Sequence, residues 1–283
     1  MNSLVWAIRR ELWENRSIYI GPLAVAGMIL VGFAVALAAW PARIEAASAL
    51  GASELRETVQ QPYVVAALML MIIEILVAIV YSLDALYGER RDRSILFWKS
   101  MPVSDLETVL AKASIPILVL PLVTFVVTMG TQVIMLLMGS AALAAKGISV
   151  GTLWGQLSLL DLTRINLIHL VTFHGILWAP LYAWLLLVSG WAPRAPFLWA
   201  VLPPVAIGIA ERIAFNTTRF ATLLRDYFLG GSGGEGPPGM TMDMLAPHQL
   251  AQFLARPDLW LGLAMTAAML FGAMKFRRAR GAI

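Results

Sequence analysis

Glu89-Arg90-Arg91-Asp92-Arg93-Ser94-Ile95-Leu96-Phe97-Trp98-Lys99-Ser100-Met101-Pro102-Val103-Ser104-Asp105-Leu106-Glu107-Thr108-Val109-Leu110-Ala111-Lys112 is a charged island between two long apolar runs. The flanking runs, Pro62 to Leu83 and Ala113 to Met138, each carry about the 20 apolar residues that a hydrocarbon layer roughly 30 Å thick requires of a helix. The island is therefore expected at a membrane surface. Its five Lys/Arg residues assign it to the cytoplasmic side.

Composition agrees with that reading: 59% of residues are hydrophobic, 13% are charged and the mean hydropathy is +0.77, which identifies a multi-spanning, all-α membrane protein. The absence of Cys removes disulfides, thiolate chemistry and Cys-based metal sites. A net charge of +4 would suit nucleic acid, but the basic residues cluster beside apolar runs, where lipid headgroups explain them better. Membrane lipids, and no nucleic acid, are the partners this pattern implies.

Apolar windows predict six spans: Ile18 to Trp40, Pro62 to Leu83, Ala113 to Met138, Leu170 to Trp191, Pro196 to Phe215 and Leu259 to Phe276. Thirteen of the 21 Lys/Arg residues then fall on one side: Arg9, Arg10, Arg16, the five of the island, Arg194, Lys275, Arg277, Arg278 and Arg280. Both termini are thus predicted to be cytoplasmic. The fifth span contains Pro203-Pro204, and a kinked or re-entrant element is expected there.

Residues 1–17 precede the first span. Their basic residues suggest a signal peptide, but the apolar run that follows is longer than the roughly 7 to 15 residues of a secretory core. Leu4, Val5, Ile8 and Leu12 share one arc, with Arg10, Glu11 and Glu14 away from it. That is the pattern of an interfacial helix, and a plain cytoplasmic extension of the first span is the other reading. Residues 18–283 form the six-span domain, with a cytoplasmic loop at 84–112 and a large outer loop at 212–258. The tract Gly230 to Gly239 cannot hold regular structure, because glycine and proline oppose helix and sheet alike. Between spans three and four, Asp161 and Arg164 stand one turn apart on an expected amphipathic outer helix.

The island also predicts its own shape. Glu89 and Arg93 are spaced for an i,i+4 pair on a continued helix, Pro102 forces a turn at Met101 to Val103, and Ser104 with Glu107 forms a capping box that opens the next helix. The apolar tip Ile95, Leu96, Phe97 and Trp98, ringed by Arg90, Arg91, Arg93 and Lys99, has two readings. It is either a knob for a partner protein's groove or an anchor in the headgroup layer.

From Asp84-Ala85-Leu86-Tyr87 through the island to Ser104-Asp105, the sequence resembles the loop after the second span in the permeases of bacterial type-2 ABC exporters. The six-span plan with an amphipathic amino-terminal helix is similar to that family over the whole chain, and Arg194 with Ala195-Pro196-Phe197-Leu198-Trp199 is similar less specifically. The resemblance implies a bacterial inner-membrane exporter subunit whose island is a coupling helix, meeting a cytoplasmic ABC ATPase through Arg90, Arg93, Phe97, Trp98 and Lys99. It further implies pairing with a second copy or a similar permease, with ATP and magnesium on the ATPase and no cofactor on this chain.

The chain itself contains no Gly-x-x-x-x-Gly-Lys-Ser/Thr, so energy from ATP would have to come from a separate subunit, and no catalytic or metal residues are assigned. His169 and His174, five apart, lie about 140° from each other around a helix and do not form a metal pair. Glu74 stands about twelve residues, or roughly 18 Å, into the second span, and Thr128 in the third reaches similar depth. Either they line the route of a cationic or amphipathic substrate, or Glu74 is a protonated carboxyl satisfied by a neighbour such as Gln132. The apolar character favours a hydrophobic or amphipathic substrate. The rival readings are an ATP-independent carrier or channel and an intramembrane enzyme.

Overall fold

A computed structural model describes residues 3–100, 103–229 and 254–279, and these form helices and turns with no strand among them. In chain order the helices are α1 (Ser3–Glu14), α2 (Ser17–Ala36), α3 (Trp40–Leu50), α4 (Ala52–Asp84), α5 (Tyr87–Arg91), α6 (Ile95–Ser100) and α7 (Asp105–Ser114). A π-helical turn, Ile115–Val119, joins α7 to α8 (Leu120–Ala145), followed by α9 (Gly151–Gln156) and α10 (Leu159–His169). A second π-helical stretch, Leu170–Leu177, leads to α11 (Ala179–Trp191), α12 (Pro196–Phe215), α13 (Arg219–Leu229) and α14 (Pro257–Ala279).

Among the described residues, five helical runs are long and apolar enough to cross a membrane, and a sixth is added if Leu159–Leu177 with Ala179–Trp191 counts as one broken span. The chain is therefore a multi-pass helical membrane protein by length and composition. The second and third runs outlast the apolar windows that announce them: α4 begins ten residues before Pro62, and α8 continues past Met138 to Ala145. The polar stretch Arg43 to Gln61 between the first two apolar windows is helical on both sides of Gly51: Pro41 suits the first turn of α3, and Gly51 at φ 137° supplies the break before α4. The helix expected between the third and fourth apolar windows is α10, where Asp161 and Arg164 are exposed and the Ser158 hydroxyl accepts from the Asp161 N–H at 3.3 Å.

The fifth span corrects one expectation. α12 runs unbroken through Pro203 and Pro204, so it is not re-entrant. A proline at position 204 leaves the carbonyl of Ala200 without its i+4 donor, and the Trp184 indole N–H donates to that oxygen at 3.1 Å instead. A neighbouring helix thus supplies the missing donor. The glycine-rich tract Gly230 to Gly239 lies outside the described residues, while α13 occupies the first part of the large loop.

The described chain divides into two compact units. One comprises residues 17–77 and 120–171. In it α2 packs along α8, and Phe33, Trp40, Tyr63, Met135, Leu136 and Leu162 belong to its core. Trp40 meets Phe33 edge-on at 5.5 Å and lies over Gly139, where an added Cβ would come within 2.8 Å of the indole ring. Because Trp40 is itself only 3% exposed, the ring has little room to retreat. Gly139→Ala is expected to cost about 1–3 kcal/mol, the usual penalty of overpacking, read as an earlier unfolding midpoint on denaturant titration in detergent.

The other unit comprises residues 1–16, 78–119 and 172–283. Here α11 packs along α14, and glycines let the two backbones approach: a Cβ on Gly272 would lie 2.9 Å from Leu187, and Gly190 faces the Ala273 carbonyl. Leu86, Val109 and Ala273 join α7 and α14 to the loop above α5.

Candidate functional site

The charged island and its supports all lie in the second of these units. α4 ends at Asp84, and two residues later α5 starts afresh, its first backbone N–H groups satisfied from another helix: Leu86 N–H and Tyr87 N–H donate to the Ser189 hydroxyl at 3.0 and 2.8 Å. The debt is reciprocal. Arg90, 3% exposed, forks over the carboxyl-terminal carbonyls of α11, donating to Gly190 O at 2.5 Å and Ala192 O at 2.9 Å. A planar guanidinium at the negative end of a helix is well suited to this. Arg90, read from sequence as a partner contact, is therefore engaged within the chain.

The expected pair between Glu89 and Arg93 does not form. α5 stops at Arg91, and Arg93 takes the left-handed conformation at φ 58°, which turns the chain sharply into α6 and carries its side chain away from Glu89. At the far end the capping box is present as expected: Glu107 N–H donates to Ser104 Oγ at 3.1 Å, and Ser104 N–H donates to the Glu107 carboxylate at 2.9 Å. Of the turn read at Met101 to Val103, Met101 and Pro102 lie outside the described residues.

Glu89 instead enters a buried cluster of opposite charges. Its Oε1 is 3.2 Å from Lys112 Nζ and 3.3 Å from Arg10 Nη2, and its Oε2 is 3.5 Å from Arg277 Nη2. Glu11, 1% exposed, accepts from Arg10 at 2.6 Å, Lys112 at 2.9 Å and the Tyr81 hydroxyl at 2.8 Å. Arg277 also pairs with Asp105. Three cations thus meet three carboxylates, drawn from α1, α5, α7 and α14. Desolvating so many charges consumes most of their mutual attraction, so the cluster contributes more to fixing how these elements join than to net stability.

The cluster explains how α1 sits. The helix packs on α7 through Ala7 and Glu11, while Leu4 and Val5 stay exposed. Glu11 is thus turned into the protein, Leu4 and Val5 face outward, and Ile8 and Leu12 are half-buried. Burial alone would raise the Glu11 carboxyl, but Lys112 and Arg10 outweigh that and hold it below its ordinary value of 4.5. A depressed carboxyl stabilises the docked state above pH 4.5 and loses that contribution as pH falls through the lower folded value. The unfolding midpoint should therefore drop as the pH is taken from neutrality to below 4, and Glu11→Gln should lower the neutral midpoint and flatten this dependence. An equally steep pH profile in the variant would remove Glu11 from the cause.

Above the cluster, α6 presents the apolar tip. Ile95 is buried and anchors it, whereas Leu96 and Phe97 are each 60% exposed. Trp98 is half-buried: the Arg10 guanidinium stacks 3.9 Å from its ring, Trp6 approaches to 6.3 Å, and Phe97 meets it edge-on at 4.9 Å. Arg93 and Lys99 are exposed. Of the five residues read as partner contacts, Arg93, Phe97 and Lys99 are thus presented outward, Trp98 braces the tip, and Arg90 holds it to α11.

The two intramembrane candidates belong to the other unit. Glu74 on α4 and Thr128 on α8 are both fully buried there, so neither reaches the surface of the chain. One turn after Thr128, Gln132 donates to the Tyr63 carbonyl at 3.2 Å and accepts from Asn166 at 2.9 Å; Tyr63 precedes Glu74 by eleven residues on α4. Among the described residues no group of three or more His, Asp or Glu side chains is placed to hold a metal ion.

Sequence reading missed Glu11, Lys112 and Arg277 as a structural set, treating the two basic residues only as topology markers. One signal was available. Lys112 follows Thr108 and Val109 by one turn, on the face of α7 that is buried, and a cation on a buried face requires a buried partner. In comparisons of the chain with protein-family models, with curated proteins and with solved structures, nothing matches.

Proposed function

We infer that this chain is the membrane-spanning permease subunit of an ATP-driven ABC exporter in a bacterial inner membrane, with both termini cytoplasmic and a hydrophobic or amphipathic substrate. The observation that carries this reading is the α5–α6 projection, in which exposed Leu96, Phe97 and Arg93 are joined rigidly to the ends of spans by Arg90 and the Glu89 cluster. A surface anchor needs apolar exposure alone. A device that transmits force needs its tip tied to the parts that must move, and four elements meet in that tie. The ATPase would be a separate cytoplasmic protein carrying ATP and magnesium, and the transport path would form with a second copy or a similar chain. The test is copurification: tagged protein should bring down a Walker-motif ATPase, and transport in vesicles should cease without ATP.

A second reading, an ATP-independent carrier or channel, draws on the buried polar residues Glu74, Thr128, Gln132 and Asn166. Transport by the reconstituted chain alone would favour it over the exporter. The orientation is testable in a chain without native cysteine: Ser100→Cys should resist impermeant thiol reagents in intact cells, and Ser232→Cys should react. External labelling at position 100 would overturn the proposed topology.

A further inference from the structure

A cleft of about 370 Å³ opens beside the charge cluster where α6, the start of α7 and the end of α14 meet. Lys99, Arg277 and Arg278 line it against one carboxylate, Asp105, so the lining carries an excess of positive charge. Asp105 is already matched by Arg277, and Lys99 Nζ donates to the Arg278 carbonyl at 3.4 Å, which draws a second cation to the rim. Arg277, 3% exposed, retains a buried Nε–H with no hydrogen-bond partner among the described residues. Like charges gathered in this way repel one another, and an anion bridging them relieves the repulsion.

The rest of the lining selects the anion. Val103, Leu106 and Met274 form an apolar wall, and Leu106, 50% exposed, is followed one turn later on α7 by Leu110, 42% exposed. Two of the runs apolar enough to cross a membrane, Asp105–Ala145 and Pro257–Ala279, terminate at this cleft. Arg277 directly follows the apolar window that ends at Phe276, and Asp105 stands about two turns before the one that opens at Ala113, which suits a position at headgroup level. A phosphate beside an apolar strip that leads toward the membrane is the pattern of a phospholipid.

We propose that the Lys99–Arg278 cleft is a binding site for the headgroup phosphate of an anionic phospholipid, with the acyl region laid along Leu106 and Leu110. The inference does not depend on the exporter reading, since neither an ATPase nor a transported substrate enters it. The full chain, delipidated in detergent and titrated with phosphatidylglycerol or phosphatidylcholine, is to be read by native mass spectrometry. Phosphatidylglycerol should be retained in preference, and Arg278→Gln and Lys99→Gln should each reduce its retention roughly fivefold, the contribution of one cation near a lipid surface. Arg278→Lys, which keeps the charge, should restore it. Arg9→Gln, which removes an exposed cation from α1 instead, should leave retention unchanged. Equal retention of the two lipids, no loss in the Arg278→Gln protein, or an equal loss with Arg9→Gln would overturn the site. Displacement of the lipid by millimolar inorganic phosphate would overturn the lipid assignment and make soluble phosphate the ligand.

Discussion

Lys112→Met should cost about 3–5 kcal/mol of stability, because it removes one of the two cations, Lys112 and Arg10, that bridge the buried carboxylates Glu11 and Glu89, and the more buried of the two. Lys112 is 3% exposed, and its loss leaves the buried carboxylates of Glu11 and Glu89 short of a cation. Arg10 still reaches both carboxylates and Arg277 still reaches Glu89, but two carboxylates then share cations that are also paired with Glu14 and Asp105. Denaturant-induced unfolding in detergent measures the loss, and proteolysis within α1 should accelerate as that helix comes away from α7. The pair Arg91–Asp84 provides the contrast: at 3.3 Å its geometry is comparable, yet its side chains are about half exposed, and Arg91→Gln should cost well under 1 kcal/mol. Replacing Glu11 together with Lys112, as Glu11→Gln/Lys112→Met, should recover part of the loss by removing an orphaned charge along with its partner. A Lys112→Met protein no less stable than Arg91→Gln would mean that the cluster is solvated and does not bind α1 to α7.

Phe97→Ala should weaken association with the proposed ATPase by roughly thirtyfold, the consequence of about 2 kcal/mol lost at an aromatic anchor. The ring is 60% exposed in the isolated chain and meets Trp98 edge-on at 4.9 Å, so its removal should cost stability little. Trp98→Ala should behave differently. That indole braces Arg10 at 3.9 Å and Trp6 at 6.3 Å, and its loss should lower stability as well as binding. The pair of variants therefore separates docking from support: stability unchanged with binding lost for Phe97, both reduced for Trp98. If the Phe97→Ala protein copurifies with the ATPase and transports at the unaltered rate, α6 is an anchor in the headgroup layer.

Much of the local structure is legible in the residues because its causes are local. Apolar length predicts six spans, and five of those windows fall on helices long and apolar enough to cross, the fourth on a pair bent by 44°; the capping box at Ser104 and Glu107 forms where a hydroxyl and a carboxylate three residues apart must form it. The tip is legible only in part: Leu96 and Phe97 are exposed, whereas Ile95 is buried and Trp98 half-buried against Arg10.

What could not be read is how distant groups compensate one another. Pro203-Pro204 signals a kinked or re-entrant element from sequence, yet α12 continues as one helix, with a tryptophan on the preceding helix donating to the carbonyl that proline abandons. Glu89 and Arg93 have the spacing of a pair, but spacing presumes a continuous helix, and the left-handed turn at Arg93 ends it. Arg90 resembles a surface cation until Ser189, Gly190 and Ala192 come into view about a hundred residues away in the chain. The sequence by itself determined the class of protein, its apolar runs and its caps, since hydrophobic length and hydrogen bonds within a turn depend on neighbours in the chain. Only the tertiary structure decided which charges are buried and with whom, since the energy of an ion in low dielectric depends on the partner within a few ångströms, wherever along the sequence that partner lies.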